Sequence, residues 1–476
     1  MKPGTALRVA LRSLALQPVR TAVLACGFGC GIAAMAGLLG IGEVILEQSR
    51  SPQLAGGGHL VIHAAGGDLG NARFLLSGVL GSPPLAGRVA AAAPSVSTTL
   101  YLIDEGRAPL RVFARGGVPS LERRLADYET SGLAAWQDTA ADRGWASPDP
   151  SDVLRAMDRF HAVPPGTPWA ATWHEWLYFN GQAADGRFYL TFWIGPDEGA
   201  AARRAGVRLQ LEHEGRTVAY SSTGSVPAVL AGPDVRIGGN EVVLDGLRYR
   251  IDVELWRDDR RGAARTDAPD LTGSLVLEAV PGRSLPPLQV RGAHGWISGY
   301  TVPVLSGSLS GSLRTADGTV SLDGGTGYHD HNWGFWEGVT WHWGQVAHDD
   351  LSLVFGRIRP PAEAIDPRRL PGLLVALGPA GPAGFATDVT VTEEASPAGD
   401  GVPRRMVIEG RGDALELRME IDVRSFVRTA GGTAAGRREP AFLQLRGDYR
   451  VVGRVGERRV DFTAAGSAET FGGAVR

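Results

Sequence analysis

The chain has 476 residues, of which 43% are hydrophobic, and a formal net charge of −3. The hydrophobic fraction is ample for packed cores and excludes a wholly disordered chain, and the length suits about two to four domains. The net charge is close to zero, and the sequence contains no block of basic residues. This excludes nucleic acid as the main partner, because nucleic-acid binding requires a clustered basic face.

The N-terminal segment combines basic residues with a long apolar run. No residue from Thr21 to Gly42 is charged, and as a helix this run is long enough to cross the hydrocarbon layer of a membrane. Positive charges precede the run, and Glu43 and Glu47 follow it, so the positive-inside rule places the N-terminus in the cytoplasm. We expect residues 1–20 to be a cytoplasmic basic segment and residues 21–46 to be one transmembrane helix in the cell membrane. The bulk of the chain then lies on the extracytoplasmic, periplasmic side.

Two further features of this segment bear on that interpretation. A cleaved signal peptide is the main alternative, but no small-residue cleavage site follows Gly42. The residues Ala10-Leu11-Arg12-Ser13-Leu14 and Pro18-Val19-Arg20-Thr21, leading into a Gly/Ala-rich run, resemble the first helix of MacB/FtsX-type ABC-transporter permeases. Both cysteines, Cys26 and Cys30, lie in the apolar run, so the rest of the chain has no disulfide framework and no cysteine-based metal site.

Residues 47–164 are predicted to form a juxtamembrane region of unknown fold. One helix stands out near its end, from Ser151 to Phe160, where Ser151 has the properties of an N-cap and the apolar residues recur at helical spacing. Pro164-Pro165-Gly166 then marks a boundary.

Short alternating strands follow that boundary. Apolar and polar residues alternate over 188–194, 247–255 and 415–423, and Asp-Gly pairs such as Asp185-Gly186 and Asp245-Gly246 supply turns. Long helical periodicity is nearly absent. The sequence therefore predicts an all-β, antiparallel protein with two β-barrel domains, which we place at residues 165–350 and 351–476.

The densest group of chemically active side chains is Gly327-Tyr328-His329-Asp330-His331-Asn332-Trp333-Gly334. If this run is extended, alternation places Tyr328, Asp330 and Asn332 on one face of a strand. The other face then carries His329, His331 and Trp333. A strand rich in tryptophan and histidine follows almost at once and includes Trp336, Trp341, His342 and Trp343.

Two motifs together resemble the acyclic-carotenoid 1,2-hydratase/AttH family of double lipocalin-like proteins. The first is Glu175-Trp176-Leu177-Tyr178-Phe179-Asn180-Gly181, and the second is the Gly327–Gly334 run. The resemblance covers about residues 165–476. It implies two lipocalin-like barrels with a ligand cavity at or between them. It also implies either hydration of carotenoids or, for the AttH members, association with ABC-transport components.

The resemblance further implies roles for individual residues. In the hydratases the Tyr and Asp of the second motif act in catalysis with an upstream His-x-Trp, and here Tyr328 and Asp330 match the first two groups. His294-Gly295-Trp296 offers the His-x-Trp pattern, whereas a nearer alignment puts Gly299 and Thr301 in its place.

The residues themselves support acid chemistry in an aromatic cavity. Hydration of an alkene needs a general acid kept protonated by burial, which Asp330 would supply, and a wall that tolerates cationic charge. Tyr328, His329 or His331 would relay the proton or position water. A buried hydrogen-bond network that only ties strands together is the alternative. We expect the ligand to be bound by Trp176, Tyr178, His294, Trp296, Asn332, Trp333, Trp336, Trp341 and Trp343.

We expect neither a cofactor nor a metal ion. His329-x-His331, with Glu337 and His342 nearby, has a spacing that metal sites also use, and this is the alternative interpretation. Glu175 needs a partner in its apolar strand, either an arginine or the second motif.

The function that we expect is therefore the binding of a lipid or isoprenoid, with cofactor-free hydratase or isomerase activity. The alternative is a non-enzymatic lipid-binding accessory component of an ABC transport system.

Overall fold

The computed structural model describes most of the chain beyond residue 70, and the chain forms two compact units. The described ranges are 71–81, 88–102, 110–125, 136–146, 148–196, 202–230, 232–258, 268–366, 370–379, 381–396, 401–412, 414–429 and 442–471, with a few further positions outside them. One unit comprises residues 1–69 and 90–146, and the other comprises residues 70–89 and 147–476.

Among its described residues, the smaller unit contains a β-hairpin followed by two short helices. Strands β1 (Ser95–Leu102) and β2 (Leu110–Gly117) pair in antiparallel fashion. Helices α2 (Pro119–Arg124) and α3 (Ala140–Ala146) follow, and α1 (Ala72–Gly81) belongs to the larger unit. No helix among the described residues is long and apolar enough to cross a membrane. The predicted transmembrane helix at residues 21–46 lies outside the described residues, except for positions 21–23 and 26.

In the described part of the chain, the first sheet of the larger unit has 12 strands and includes a closed ring. The hydrogen-bonded order β10-β12-β14-β3-β4-β5-β6-β9 closes because β9 also pairs with β10. These strands and the peripheral ones are β3 (Trp173–Gln182), β4 (Gly186–Ile194), β5 (Ala202–His213), β6 (Arg216–Pro227), β7 (Val235–Ile237), β8 (Asn240–Asp245), β9 (Arg248–Arg257), β10 (Leu271–Glu278), β11 (Leu285–Arg291), β12 (Ile297–Thr315), β13 (Gly318–Ser321) and β14 (Gly325–Phe335).

The second sheet has nine strands among the described residues, in the order β18-β17-β16-β15-β25-β24-β21-β20-β19. Its members are β15 (Thr340–His348), β16 (Leu351–Arg359), β17 (Leu373–Gly378), β18 (Gly381–Ala386), β19 (Asp388–Ala395), β20 (Pro403–Gly412), β21 (Leu415–Thr429), β24 (Phe442–Val455) and β25 (Arg458–Phe471), while β22 (Thr433–Ala434) pairs with β23 (Arg437–Arg438) by itself. The predicted all-β fold with two barrel-like sheets is confirmed. Strand β15 lies on the N-terminal side of the predicted boundary at 350/351 but hydrogen-bonds into the second sheet.

Helix α4 (Pro150–Met157) packs into the core of the first sheet. Its residues Leu154 and Met157 are buried there together with Phe160, which follows the helix. The N-cap is Asp149, whose side chain accepts a hydrogen bond from the Ser151 backbone N–H at 2.8 Å. The predicted N-cap at Ser151 is therefore wrong by two positions, because Pro150 supplies the first turn. The helix ends at Met157. The next residue, Asp158, is completely buried.

A separate hydrophobic core lies between the two sheets. It contains Tyr178 and Tyr328 from the first sheet and Trp343 and Val354 from the second. Apolar contact across this interface holds the sheets together, so both sheets belong to one compact unit.

Candidate functional site

Strand β14 carries different chemistry on its two faces. The run from Gly327 to Gly334 forms part of this strand. Tyr328, Asp330 and Asn332 lie on one face, and His329 and His331 lie on the other. This confirms the predicted alternation. Because β14 pairs with both β3 and β12, each of its side chains has neighbours on both sides.

The first face of β14 borders a cavity of about 550 Å³ between the two sheets. Its wall includes seven aromatic residues of strands β3, β4, β12 and β15 and of the turn after β14: Trp176, Tyr178, Trp193, Tyr300, Trp336, Trp341 and Trp343. Asp330 and Asn332 from β14 also face the cavity. Among the residues predicted to bind ligand, Trp176, Tyr178, Asn332, Trp336, Trp341 and Trp343 therefore line one cavity.

Asp330 is held in this wall by neutral hydrogen-bond donors. Tyr328 donates its hydroxyl to Oδ2 at 2.8 Å, and the Asn332 amide donates to Oδ1 at 2.7 Å. Only 4% of Asp330 is exposed. Burial raises the pKa of the Asp330 carboxyl to about 7, although its two hydrogen bonds oppose the rise. The carboxyl is thus poised between its acid and base forms near neutral pH.

Tyr328 connects Asp330 to further side chains of the wall. The Tyr300 and Tyr328 hydroxyls lie 2.9 Å apart, and the Trp343 indole N–H donates to the Tyr300 hydroxyl at 3.1 Å. Burial raises the pKa of both tyrosines well above the ordinary value, so both stay protonated. Tyr328 therefore acts as a hydrogen-bond donor that orients the carboxyl of Asp330.

A second carboxyl, Glu469 on β25, faces the same cavity from the other sheet. The Trp341 indole N–H and the Gln444 amide each donate to one of its oxygens at 3.3 Å. Burial, reinforced by the charge of Asp330, raises the pKa of Glu469 to about 8. Our sequence interpretation missed Glu469. The available signal was its position as the one charged residue in the run 462–471.

The other face of β14 belongs to a buried network centred on Asp158. His329 Nε2 lies 3.0 Å from Asp158 Oδ2, and His331 Nδ1 lies 2.8 Å from Oδ1. Tyr249 also donates its hydroxyl to Oδ2 at 2.7 Å. Burial alone would raise the pKa of Asp158, but the charge and hydrogen bond of His329, with those of His331, lower it below the ordinary value.

His331 bridges two carboxylates. Its Nε2 lies 3.0 Å from Glu175 Oε1, opposite the contact with Asp158. Burial opposes the charge on this imidazole, yet the two carboxylates raise its pKa to about 9. His331 is therefore an imidazolium at neutral pH that neutralises buried negative charge. Neither His329 nor His331 is among the residues that line the cavity, because both contact Asp158 on the opposite face of β14.

Glu175 has the partner that its apolar strand requires. Besides His331, the backbone N–H of His161 donates to Oε1 at 2.9 Å, and His161 Nδ1 lies 2.8 Å from the same oxygen. Ligand atoms of His161, Glu175 and His331 lie within 4.8 Å of one another. In this structure the three side chains are joined to one another by hydrogen bonds through Glu175.

The alternative metal site of the sequence interpretation is not assembled. Glu337 is exposed, in a turn after β14. His342 lies on β15, where its Nε2 is 3.0 Å from Glu393 and its Nδ1 accepts from Arg359 at 2.9 Å. These partners hold His342 apart from His329 and His331, which lie on the buried side of β14.

Three residues predicted to bind ligand lie elsewhere. Trp333 and Trp296 are buried in a separate aromatic core, and Trp333 stacks on His161 with ring centroids 3.9 Å apart. His294 is exposed in a turn before β12, at a φ of 55°. Gly299 and Thr301 instead stand opposite Trp333 and His331. Position 299 requires glycine, because a Cβ on Gly299 would lie 1.9 Å from the Trp333 ring.

No protein-family model and no curated protein matches this chain. Solved structures do. A protein assigned as AttH from Nitrosomonas europaea aligns with 16% identity and a TM-score of 0.44, over 66% of this chain and 100% of its own. CghA solved with Sch210972 aligns with 11% identity and a TM-score of 0.40, over 66% of this chain and 94% of its own.

Proposed function

We propose that this protein binds an apolar small molecule, a lipid or an isoprenoid, between its two sheets and acts on one of its carbon–carbon double bonds by acid catalysis. The observation that carries the proposal is the position of Asp330. This carboxyl lies in the wall of an aromatic cavity, is buried, and has a pKa of about 7. A protonated carboxylic acid in an apolar site is a general acid that works at neutral pH.

The proposed reaction needs only this chain and water. The π electrons of the double bond form a new C–H bond with the proton of Asp330, which becomes a carboxylate. The neighbouring carbon becomes cationic beside the faces of Trp336 and Trp341, which stabilise positive charge. In a hydratase, water then adds to this carbon and returns a proton to a carboxylate. In an isomerase, a C–H proton on a carbon adjacent to the cation is instead transferred to a carboxylate of the cavity, and the electrons of that C–H bond form the new double bond.

The geometry gives two more residues a part in this reaction. Tyr328 holds the reacting carboxyl in one orientation through its 2.8 Å hydrogen bond. Glu469 is the second group in the cavity that can accept a proton, because it faces Asp330 from the opposite sheet. The charge of Asp330 contributes to the raised pKa of Glu469, so the two carboxyls, with pKa values of about 7 and about 8, can supply an acid and a base in one cavity.

The second candidate function is a carrier without catalysis, serving as a lipid-binding accessory component of an ABC transport system. One observation favours it. Tyr328 and Asn332 satisfy both oxygens of Asp330 within the wall itself, as in a purely structural network.

Mass spectrometry of co-purifying lipids separates these two functions. We expect the wild-type protein to carry a hydrated or isomerised lipid and Asp330→Asn to accumulate its unsaturated precursor, because the amide cannot supply the proton. Asp422→Asn, on an exposed position of β21, is the matched control and should behave as wild type. The same unmodified lipid on all three proteins would mean a carrier. Absence of lipid from all three would remove support for the cavity as a binding site.

We further propose that the chain is anchored in the cell membrane by residues 21–46, with the larger unit outside the cytoplasm. The support is the order of charges around the uncharged run from Thr21 to Gly42. A reporter enzyme that is active only in the periplasm, fused after residue 476, should be active. An active cytoplasmic reporter at the same position would contradict the proposal.

A further inference from the structure

The wall of the cavity presents several indole faces close together. Trp176, Trp336 and Trp341 form one group, with ring centroids 4.5 Å apart for Trp176 and Trp336, 5.5 Å for Trp336 and Trp341, and 6.2 Å for Trp176 and Trp341. The face of an indole carries partial negative charge and attracts cations more strongly than the ring of Phe or Tyr. This wall therefore favours positive charge in whatever occupies the cavity.

The two carboxyls in the cavity lack cationic partners. Asp330 and Glu469 receive hydrogen bonds from a phenol, two amides and an indole, all of which are neutral. Neither carboxyl forms an ion pair with another described residue. The positive charge of His331 acts on Asp330 from the far side of the strand, but His331 already bridges Asp158 and Glu175 there.

The two basic side chains that line the cavity are engaged elsewhere. His342 lies between Glu393 and Arg359. The guanidinium of Arg357 donates to the Val389 carbonyl. Neither basic group pairs with Asp330 or Glu469. A ligand is therefore the remaining source of a counter-charge for these carboxyls.

We infer that the ligand site accepts organic cations, namely apolar molecules with a quaternary or protonated amine whose charge lies between Asp330, Glu469 and the tryptophan faces. Aromatic faces combined with carboxylates are the usual means of recognising an ammonium group. This inference rests on the proposed binding of a ligand in the cavity, but it does not require catalysis. It also agrees with the proposed reaction, since an ammonium group mimics a cationic carbon.

The test compares three single-chain probes with the purified full chain below their micelle concentrations: decyltrimethylammonium, decanol and decyl sulfate. Binding is followed by tryptophan fluorescence and by calorimetry at pH 8.5. We expect decyltrimethylammonium to bind at least about tenfold more tightly than decanol, and decyl sulfate to bind most weakly. In the double variant Asp330→Asn/Glu469→Gln the tenfold preference should disappear, while decanol should bind as before.

Two controls make the result specific. Glu416→Gln, on an exposed position of β21, removes a negative charge outside the cavity and should leave the preference intact. Calorimetry at pH 6.5 in buffers with different ionisation enthalpies should show proton release on binding of the ammonium probe but not of decanol. The reason is that a cation favours the ionised form of both carboxyls.

The other outcomes overturn the inference in distinguishable ways. Equal affinity for decanol and the ammonium probe would remove the cation preference and leave the proposed apolar site standing. Tightest binding of decyl sulfate would show that Arg357 dominates the site. Failure of all three probes to bind would overturn both the inference and the proposed ligand site.

Discussion

Replacement of Asp158 by asparagine is expected to lower the free energy of unfolding by about 3–5 kcal/mol, the usual loss when one partner of a buried charged group is removed. Asp158 is completely buried and accepts hydrogen bonds from His329, His331 and Tyr249. The amide cannot balance the charge of the His331 imidazolium, so that imidazole must lose its proton or stay incompletely paired.

Urea unfolding at pH 7 measures this loss. Asp461→Asn is the matched control, because Asp461 lies in an exposed pair 3.6 Å from Arg450. Exposed pairs contribute about 0–1 kcal/mol, so the control should remain close to wild type. A loss of less than about 1 kcal/mol for Asp158→Asn would show that the network contributes little net stability, as some buried ion pairs do.

The stability of the protein is expected to fall as the pH rises through the range in which the cavity carboxyls ionise. The pKa of Asp330 rises from 3.8 to about 7 on folding, and that of Glu469 from 4.5 to about 8. The folded state therefore holds more protons than the unfolded state in this range. The stabilisation is fully present below the unfolded pKa values and is lost as the pH passes the folded ones, at about 1 kcal/mol per pH unit for each group.

The double variant Asp330→Asn/Glu469→Gln isolates this contribution, because neutral amides have no charge to desolvate. Its free energy of unfolding, relative to wild type, should rise by several kcal/mol between pH 5 and pH 9. His331 also loses its stabilising proton as the pH rises through about 9, but it does so in both proteins. Parallel pH curves for the two proteins would mean that the carboxyls have ordinary pKa values.

The sequence predicts the fold class and one wall of the site because both follow from period-2 alternation. The two faces of β14 could be assigned from the order of residues alone, and so could the aromatic wall around Trp341 and Trp343. Alternation within one strand does not tell which strands of a second sheet lie opposite. Glu469 reaches the cavity through the pairing of β25 with β15, and no local pattern specifies that pairing.

The buried network was unpredictable for a related reason. Asp158 and His161 follow helix α4 and reach β14 only because that helix packs in the core of the first sheet. The sequence left open whether His294-Gly295-Trp296 or the nearer Gly299 and Thr301 stand beside the second motif. His294 lies in a turn before β12, and its place beside the second motif is taken by Gly299 and Thr301.

The ring of the first sheet closes through strands of that sheet alone, so it does not require the second sheet during synthesis of the chain. The ribosome synthesises β14 before β15 and β25, so the ring of the first sheet and helix α4, which packs on its core, precede the strands that lie opposite Asp330. Leu154, Met157 and Phe160 of the same chain already contribute to the core of that ring. A nascent chain that ends after β14 lacks the cavity, because residues of the second sheet form part of its wall. The proposed ligand site is complete only after β25, the strand that carries Glu469, has been synthesised.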